Sequence, residues 1–450
     1  MSSSRKRYAI VGTGGRSAMF INAIGKTHRE HAELVGLCDV SQVRMDYWNR
    51  HIIGEFGDAS VPTYHADDFD RMVREQKPDA VIVTTVDGVH HRYIIRALEL
   101  GCEVVTEKPM TIDEKKASAI FGAIERTGGK VTVTFNYRYA PHTTKLREVV
   151  MQGMIGQPLL VDFMWTLDTS HGADYFRRWH REKEHSGGLL VHKATHHFDL
   201  VNFWIDSVPR TVFAMGSLKF YGRENARARG EERPYDRYTG EPAAKDDPFA
   251  LDLKSRKNLE GLYLDAESDS GYLRDRNVFG DGITIEDTMG VLATYRNGVQ
   301  LNYSLVACSP WEGFRVAITG TKGRVELYDR HGSHIIAGQS DDELAAEQAK
   351  QHVQEMTYFP MFGVPQKLEI PKAAGGHGGG DARILDQIFL PDPPPDPYRR
   401  RATHVDGAAS IMLGVAANRS IETGQAVQVD DLLVIPERPD VEPASAGAAR

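Results

Sequence analysis

The stretch Tyr8-Ala9-Ile10-Val11-Gly12-Thr13-Gly14-Gly15-Arg16-Ser17 joins a short apolar run to a glycine-rich turn. Gly12 and Gly14 match the first two glycines of the dinucleotide-binding fingerprint, which allow a tight turn and a close approach of the backbone to a pyrophosphate. Ser17 holds the third position, where a small side chain still permits close packing of helix on strand. The amides that would face the phosphates at the start of this helix belong to Gly15 and Arg16. The stretch therefore predicts the strand, turn and helix that begin a dinucleotide-binding domain.

A second apolar run, 34–40, contains Asp39 near its end, about 20 residues beyond the glycine turn. An acidic side chain at this place binds the ribose hydroxyls of NAD and repels the additional phosphate of NADP. We therefore predict that the cofactor is NAD. The alternative is a plain glycine turn followed by a solvated Asp39.

Strands and helices alternate over the first 135 residues. Residues 80–85 form a continuous run rich in β-branched side chains, as expected of a parallel strand that is buried on both faces. A helix is predicted over 89–100, and further strands are predicted over 103–106 and 130–135. This order is typical of an α/β protein with a doubly wound parallel sheet, so we assign a Rossmann domain to residues 1–135.

Longer strands follow residue 139 and indicate a second domain over 136–436. These strands are predicted over 159–166, 211–220, 283–296, 300–307 and 314–319. Asn297-Gly298 is a typical hairpin turn between two of them. The pattern predicts an antiparallel or mixed sheet.

Four segments lie outside this pattern. Residues 222–280 are polar and are predicted to form an insertion or lid, with a solvated loop as the alternative. The glycine-rich run 375–381 is predicted to be flexible, and 391–397 is a proline-rich connector. The tail, 437–450, is predicted to be disordered.

Composition argues against several classes of protein. The net charge of -8 disfavours a general nucleic-acid binder, which would carry a basic face. The three cysteines cannot form a disulfide framework, and their spacing matches no metal site. No apolar stretch approaches the ~18 residues of a membrane span, and no signal-like run opens the chain. We expect a cytoplasmic protein that binds neither membranes nor nucleic acids and holds no metal.

Glu107-Lys108-Pro109 follows directly on the predicted strand 103–106. A lysine at the carboxyl end of a strand stands where open α/β sheets bind their ligands, and Pro109 restricts Lys108 to an extended conformation. The ammonium could hydrogen-bond a sugar hydroxyl and stabilise alkoxide character during hydride transfer. The alternative is a surface lysine that pairs with Glu107.

The run His192-Lys193-Ala194-Thr195-His196-His197-Phe198-Asp199 is predicted to be part of one helix. His192, His196 and Asp199 fall within about 60° of one another on such a helix. Lys193 falls about 60° beyond His196. A histidine with a pKa near neutrality can accept the hydroxyl proton, and a neighbouring cation would lower that pKa. A metal site is disfavoured because a cation lies beside the histidines and no third ligand is apparent.

Together these residues resemble the Gfo/Idh/MocA family of oxidoreductases, named for glucose–fructose oxidoreductase, inositol dehydrogenase and a rhizopine protein. Glu107-Lys108-Pro109 is the family's signature, and Asn136-Tyr137-Arg138-Tyr139 resembles the segment that leads into its second domain. The resemblance implies a Rossmann domain followed by an α/β domain whose large open sheet is mostly antiparallel and often builds oligomer contacts. The implied cofactor-binding positions, besides the glycine turn and Asp39, are Thr85, Asp87, His90, Glu107, Lys108 and Asn136.

One departure from the family's pattern concerns the chemistry. The family's catalytic helix usually reads Asp-x-Gly-x-His-x-x-Asp, and here His196 holds the catalytic histidine position while His192 replaces the aspartate. Thr85-Val86-Asp87, followed by His90, resembles the family's Thr-Pro-Asn…His segment, from which Val86 and Asp87 depart. We expect Lys108, His196, His192 and Lys193 to form a modified catalytic group.

Three functions compete. The first is an NAD-dependent oxidoreductase acting on a sugar, sugar derivative or polyol, with Lys108 holding the hydroxyl and His196 as base. The second is the family's NAD-dependent glycoside hydrolase branch, which uses transient oxidation at C3, elimination, hydration and re-reduction, with an acidic sugar glycoside as one candidate substrate. The third is a regulator that senses nucleotide through a dead site. A homodimer or homotetramer is implied by the resemblance.

Further residues are candidates for holding a sugar or glycoside substrate because they carry hydrogen-bonding or aromatic side chains near the predicted site. They are Tyr137, Arg138, Trp179, His180, Lys193, His197, Asp199 and His377.

Overall fold

A computed structural model describes residues 5–332, 346, 349–372 and 376–436, and within them two sheets organise the chain. The first sheet has seven strands. In spatial order its strands are β15 (Ala402–Thr403), β6 (Val131–Val133), β5 (Glu103–Thr106), β4 (Ala80–Val83), β1 (Lys6–Val11), β2 (Ala32–Asp39) and β3 (Thr63–His65). All pairs are parallel except β15 with β6.

Helices cover both faces of this sheet, as the alternation of elements predicts. Strand β4 is buried at every residue, which explains its unbroken apolar sequence. Two helices begin where a side chain, from Ser41 or Asp113, accepts a hydrogen bond from a backbone N–H of the first turn. The α-helices of this part are Ala18–Asn22, Gln42–His51, Phe69–Gln76, His90–Glu99 and Glu114–Thr127.

The second sheet has nine strands in the part of the chain that the structure describes. In spatial order they are β14 (Gln366–Leu368), β13 (Val353–Pro360), β12 (Gly323–Gly332), β11 (Glu312–Gly320), β7 (Pro158–Asp168), β10 (Gln300–Ser309), β9 (Thr288–Tyr295), β8 (Pro209–Ser217) and β16 (Val427–Gln428). Only β7 and β10 pair in parallel, so the predicted α/β class and its mostly antiparallel second sheet are confirmed. The hairpin at Asn297-Gly298 is also present, and Gly298 has a φ of 86°.

Helices pack on one another and on the second sheet. The α-helices here are Pro141–Met151, Thr169–Arg177, Lys183–Ser186, Leu189–His192, Ala194–Ile205, Arg223–Ala228, Lys257–Leu259, Glu267–Ser270, Gly376–Phe389 and His404–Thr423. The last begins with a capping box between Thr403 and Asp406 and ends at Gly424. Every helix in the described ranges is too short or too polar to cross a lipid bilayer.

Three expectations about segments need correction or fall outside the described residues. The run predicted to be flexible, 375–381, is helical from Gly376 onward. Strand β15 comes from the far end of the chain and completes the first sheet, which is therefore not built from the first 135 residues alone. The tail 437–450 lies outside the described residues.

Candidate active site

The glycine turn has the geometry that close contact with a ligand requires. Gly12 has a φ of 89°, and a Cβ added there would lie 2.5 Å from the backbone nitrogen of Thr85. Glycine alone fits this position without displacing backbone. The Ser17 hydroxyl donates to the carbonyl of Gly14 at 2.7 Å and so holds the turn against its helix. Ser17 itself is fully buried, which agrees with the packing predicted for a small third residue.

Asp39 lies at the end of β2 and is almost fully buried. Its carboxylate accepts hydrogen bonds from the backbone N–H groups of Thr13 and Ser41, the latter at 2.9 Å. The Arg44 guanidinium lies 3.4 Å from the same carboxylate. The Asp39 carboxylate therefore links the glycine turn to the start of the helix Gln42–His51, and the Arg44 guanidinium lies beside it.

A cavity of about 720 Å³ runs from this turn to the histidine-rich segment. It brings together most of the side chains and turn residues that the sequence predicted. Those predicted residues that line it are Gly12, Gly14, Gly15, Arg16, Asp39, Thr85, Asp87, His90, Glu107, Lys108, Trp179, His180, His192, Lys193 and His196.

Lys108 is held in the middle of this cavity, where its Nζ lies 3.5 Å from the carbonyl oxygen of His192. Burial lowers the pKa of Lys108 to about 8, although the carboxylates of Asp87 and Glu107 oppose that shift. Glu107 is itself paired with Arg16 at 2.8 Å. The alternative of a surface lysine is excluded by this position, because the side chain reaches across to the second domain.

Asp87 and His192 form a hydrogen bond between the Asp87 Oδ2 and the His192 Nδ1 atoms. Both side chains are buried, and burial raises the pKa of Asp87 and lowers that of His192. Lys108 acts on both groups, since it opposes the rise at Asp87 and adds to the fall at His192. A buried pair of this kind holds one proton between its two members, because separated charges are disfavoured away from water.

His180 and Trp179 form the wall beside His192. The Trp179 and His180 rings stack with centroids 3.6 Å apart, and the His180 ring meets the edge of His192 at 4.2 Å. Burial lowers the pKa of His180, and Arg178 and Lys108 lower it further. A neutral imidazole therefore faces the proposed catalytic group.

Lys193 and His196 complete the cavity on the second domain's side. The Lys193 Nζ lies 5.2 Å from the centre of the Trp165 ring, and burial lowers the pKa of this lysine while the charge of Glu312 opposes the shift. The His196 ring packs edge-on against Tyr137, with centroids 5.1 Å apart. Tyr137 therefore packs against His196 but does not itself line the cavity.

A chain of hydrogen bonds that the sequence did not reveal runs along the same wall. The His171 Nδ1 lies 2.8 Å from Glu312, and its Nε2 lies 3.0 Å from the Tyr175 hydroxyl. His171 and Tyr175 line the cavity. His171 precedes Tyr175 by one helical turn, and this spacing is the one signal in the sequence that could have paired them.

Several predicted residues take structural roles instead. The buried Arg138 donates to the Asp199 carboxylate at 2.7 Å and to Asp406 at 3.0 Å, so Asp199 does not join the cavity as expected. The reason is that a fully buried carboxylate is retained only beside a partner cation. Likewise, His197 stacks on Trp165 with centroids 4.0 Å apart and hydrogen-bonds the Tyr303 hydroxyl.

Asn136 and His377 are the remaining predicted positions. The Asn136 side-chain amide donates to Asp381 at 2.6 Å, and Asn136 is not among the residues that line the cavity. His377 belongs to the helix Gly376–Phe389, but its side chain lies outside the described residues.

Residues 222–280 pack against the glycine turn. The Tyr263 hydroxyl accepts a hydrogen bond from the backbone N–H of Gly15 at 2.9 Å, and Arg44 donates to the carbonyl of Leu262 at 3.0 Å. The Asp269 carboxylate accepts from the Ser41 hydroxyl at 2.8 Å. The segment therefore forms part of the cavity wall, and its Tyr263, Tyr272 and Arg274 line the cavity.

These features define a two-sheet oxidoreductase with an NAD-binding Rossmann domain. The family description "Oxidoreductase family, NAD-binding Rossmann fold" matches residues 6–135, and "Oxidoreductase family, C-terminal alpha/beta domain" matches residues 147–429. The chain belongs to this family, Gfo/Idh/MocA, so the resemblance, the fold and the NAD cofactor predicted from the sequence are confirmed.

Similarity to individual proteins agrees with this assignment. The chain is 35% identical over 441 residues to a Bacillus subtilis protein named as an oxidoreductase, YteT, a match that covers 95% of this chain and 98% of YteT. It is 33% identical over 159 residues to D-glucoside 3-dehydrogenase of Escherichia coli, covering 35% of this chain and 42% of that enzyme. The solved structure of aldose-aldose oxidoreductase from Caulobacter crescentus shares the fold, with a TM-score of 0.60, 17% identity, and coverage of 94% of this chain and 100% of the other.

Proposed function

We propose that the protein oxidises a hydroxyl group of a sugar, sugar derivative or polyol, or reduces the corresponding ketone. The observation that supports this most directly is the position of the Lys108 ammonium. It lies beside the buried Asp87–His192 pair, in one cavity that is continuous with the NAD-binding turn. The D-glucoside specificity in the name of one relative is consistent with a carbohydrate substrate.

The first domain would hold NAD at the glycine turn and at Asp39. The close approach of backbone at Gly12 and the acid at the end of β2 fit the pyrophosphate and the ribose hydroxyls. When bound, NAD supplies the acceptor for the hydride that leaves the substrate carbon. The residues of this chain have to orient the hydroxyl and remove its proton.

Lys108 is positioned to donate to the substrate hydroxyl and to stabilise negative charge on its oxygen as the proton leaves. His196 is the proposed base that takes this proton from oxygen, while the carbon–hydrogen bond breaks and the carbonyl forms. His192 uses Nδ1 to bind Asp87, which leaves Nε2 as the nitrogen that can exchange a proton within the cavity.

Turnover with a panel of free sugars and polyols tests this proposal. Absorbance at 340 nm should grow with added NAD for at least one member of the panel. Lys108→Ala and His196→Ala should each lower kcat/KM on the order of 10²-fold or more, and His196→Ala should leave NAD affinity nearly unchanged. Lys367→Ala, at an exposed position on β14, is the matched control and should change nothing. Turnover that survives His196→Ala would show that another group is the base.

A redox-assisted glycoside hydrolase is the second candidate. It needs an additional acid or base near the substrate, and the Glu312–His171–Tyr175 chain supplies one along the cavity wall. Release of aglycone from aryl glycosides, with no net NADH formed, would favour this candidate. Stoichiometric NADH from free sugars would favour the dehydrogenase.

We also propose that the chain forms a homodimer or homotetramer through the open face of the second sheet. This face exposes large apolar side chains, including Met215 on β8 and Leu292 on β9. Sedimentation equilibrium of the wild type and of Met215→Lys measures the mass of the assembly directly. An unchanged mass in the variant would show that the part of the face around Met215 makes no oligomer contact.

A further inference from the structure

Three arginines surround a single carboxylate at one end of the cavity. Asp174 lies 2.8 Å from Arg274, 3.1 Å from Arg178 and 3.3 Å from Arg177. One carboxylate cannot neutralise three guanidinium groups, so the cluster carries a surplus of positive charge. A surplus of this kind in a partly dry site is favourable when an anion completes it.

Two of these arginines line the cavity. The third, Arg177, points elsewhere and donates to the carbonyl of Phe249 at 2.7 Å. The Nε of Arg178 is buried and has no hydrogen-bond partner among the residues that the structure describes. Arg178 lines the same cavity as His180 and His192, and its charge lowers the pKa of both imidazoles.

At the nucleotide end of the cavity, by contrast, each arginine has its own carboxylate partner. Arg16 pairs with Glu107 at 2.8 Å, and Arg44 lies 3.4 Å from Asp39. Arg178 and Arg274, which come from the second domain, share Asp174 instead, and the Arg274 guanidinium lies over the Tyr263 ring, 5.7 Å from its centre.

We propose that Arg178 and Arg274 bind an oxyanion on the substrate, so that the protein acts on a sugar that carries a carboxylate or a phosphate. This inference rests on the proposed function, since it names the substrate class of the same cavity. The planar guanidinium fork matches both groups and can bind either through two hydrogen bonds. Arg274 belongs to the 222–280 segment, so that segment would supply part of the specificity.

Calorimetric titration of the NADH-loaded protein with matched ligands tests the proposal without relying on turnover. The pairs are glucose with glucuronate and galactose with galacturonate, and the 6-phosphates of both sugars distinguish the two oxyanions. At least one acidic ligand should bind on the order of 10-fold or more tightly than its neutral partner. Equal or weaker binding of every acidic ligand would overturn the proposal, whether or not any of these sugars is oxidised.

The variants Arg178→Gln and Arg274→Gln assign the effect to the two residues. Each should reduce the preference for the acidic ligand to within a few-fold of unity, while NADH affinity stays as in the wild type. A loss of NADH affinity with the acidic preference intact would assign the arginines to the cofactor's pyrophosphate and overturn the proposal. If a variant fails to fold, the wild-type comparison of neutral and acidic ligands still decides, because it requires no substitution.

Discussion

The Asp87 carboxylate hydrogen-bonds the His192 imidazole across the interface between the two domains. Both residues depart from the family's pattern, which has asparagine at the first position and aspartate at the second. The carboxylate that is missing from the catalytic helix is thus present on the opposite wall. The carboxylate is therefore carried by a different element from the one that carries it in the family, and it remains close enough to Lys108 for the two charges to interact.

The different placement of this carboxylate predicts that substitutions at positions 87 and 192 should compensate for each other. Asp87→Asn alone should lower kcat on the order of 10²-fold and alter the pH profile, because His192 loses the group that holds its proton. His192→Asp alone should be equally harmful, since it places two buried carboxylates side by side. The double variant restores the family's arrangement and should be more active than either single variant. Strictly additive losses in kcat/KM would show that the two residues do not act together.

We expect activity to decline at alkaline pH because Lys108 loses its charge there. Burial lowers the pKa of Lys108 to about 8, so the ammonium is present below that pH and is lost as pH rises through it. Because the proposed role requires a charged donor, kcat/KM should fall above about pH 8. Lys108→Arg keeps its charge at every accessible pH. Whatever activity this variant retains should lack the alkaline decline, and a decline at the same pH would assign the limit to another group.

The fold was predictable from the sequence wherever apolar residues follow a regular pattern. Ala80–Val83 and Glu103–Thr106 are buried strands with unbroken apolar or β-branched runs, and both were predicted within two residues. Strand Gly323–Gly332 was missed because Asp329 occupies an inward position, where it pairs with His352 at 2.8 Å. A buried polar cluster removes the alternation on which such a prediction depends.

The site was predictable to the extent that its residues follow sequence motifs. The glycine turn, Lys108 and His196 belong to such motifs and lie together in the cavity. The pairing of Asp87 with His192 joins residues far apart in sequence, and nothing in either local pattern specifies it. Arg274 lies in a polar segment without periodicity, where local sequence does not indicate which side chains point inward.

We expect Asp39, together with Arg44, to set the choice between NAD and NADP. Asp39→Ala removes the carboxylate that repels a 2′-phosphate and frees the guanidinium beside it. We expect weaker NAD binding and a preference shifted toward NADP on the order of 10-fold or more. The double variant Asp39→Ala/Arg44→Ala should lose the gain for NADP but not recover NAD binding. Dissociation constants for both nucleotides measure this, and an unchanged preference in Asp39→Ala would exclude the assignment.

We expect Tyr263 to compete with NAD for the backbone N–H of Gly15. Its hydroxyl accepts the hydrogen bond of the Gly15 N–H, an amide that in this fold faces the pyrophosphate. A phosphate oxygen must share or displace that contact, so Tyr263→Phe should tighten NAD binding by about 5-fold, the equivalent of one ordinary hydrogen bond. Tyr272→Phe is the matched control, because it removes a hydroxyl from the same cavity wall where no bond to the glycine turn is made. Nucleotide dissociation constants from fluorescence titration decide the outcome. Weaker binding in Tyr263→Phe would mean that the hydroxyl binds the phosphate itself, and segment 222–280 would then contribute directly to the nucleotide site.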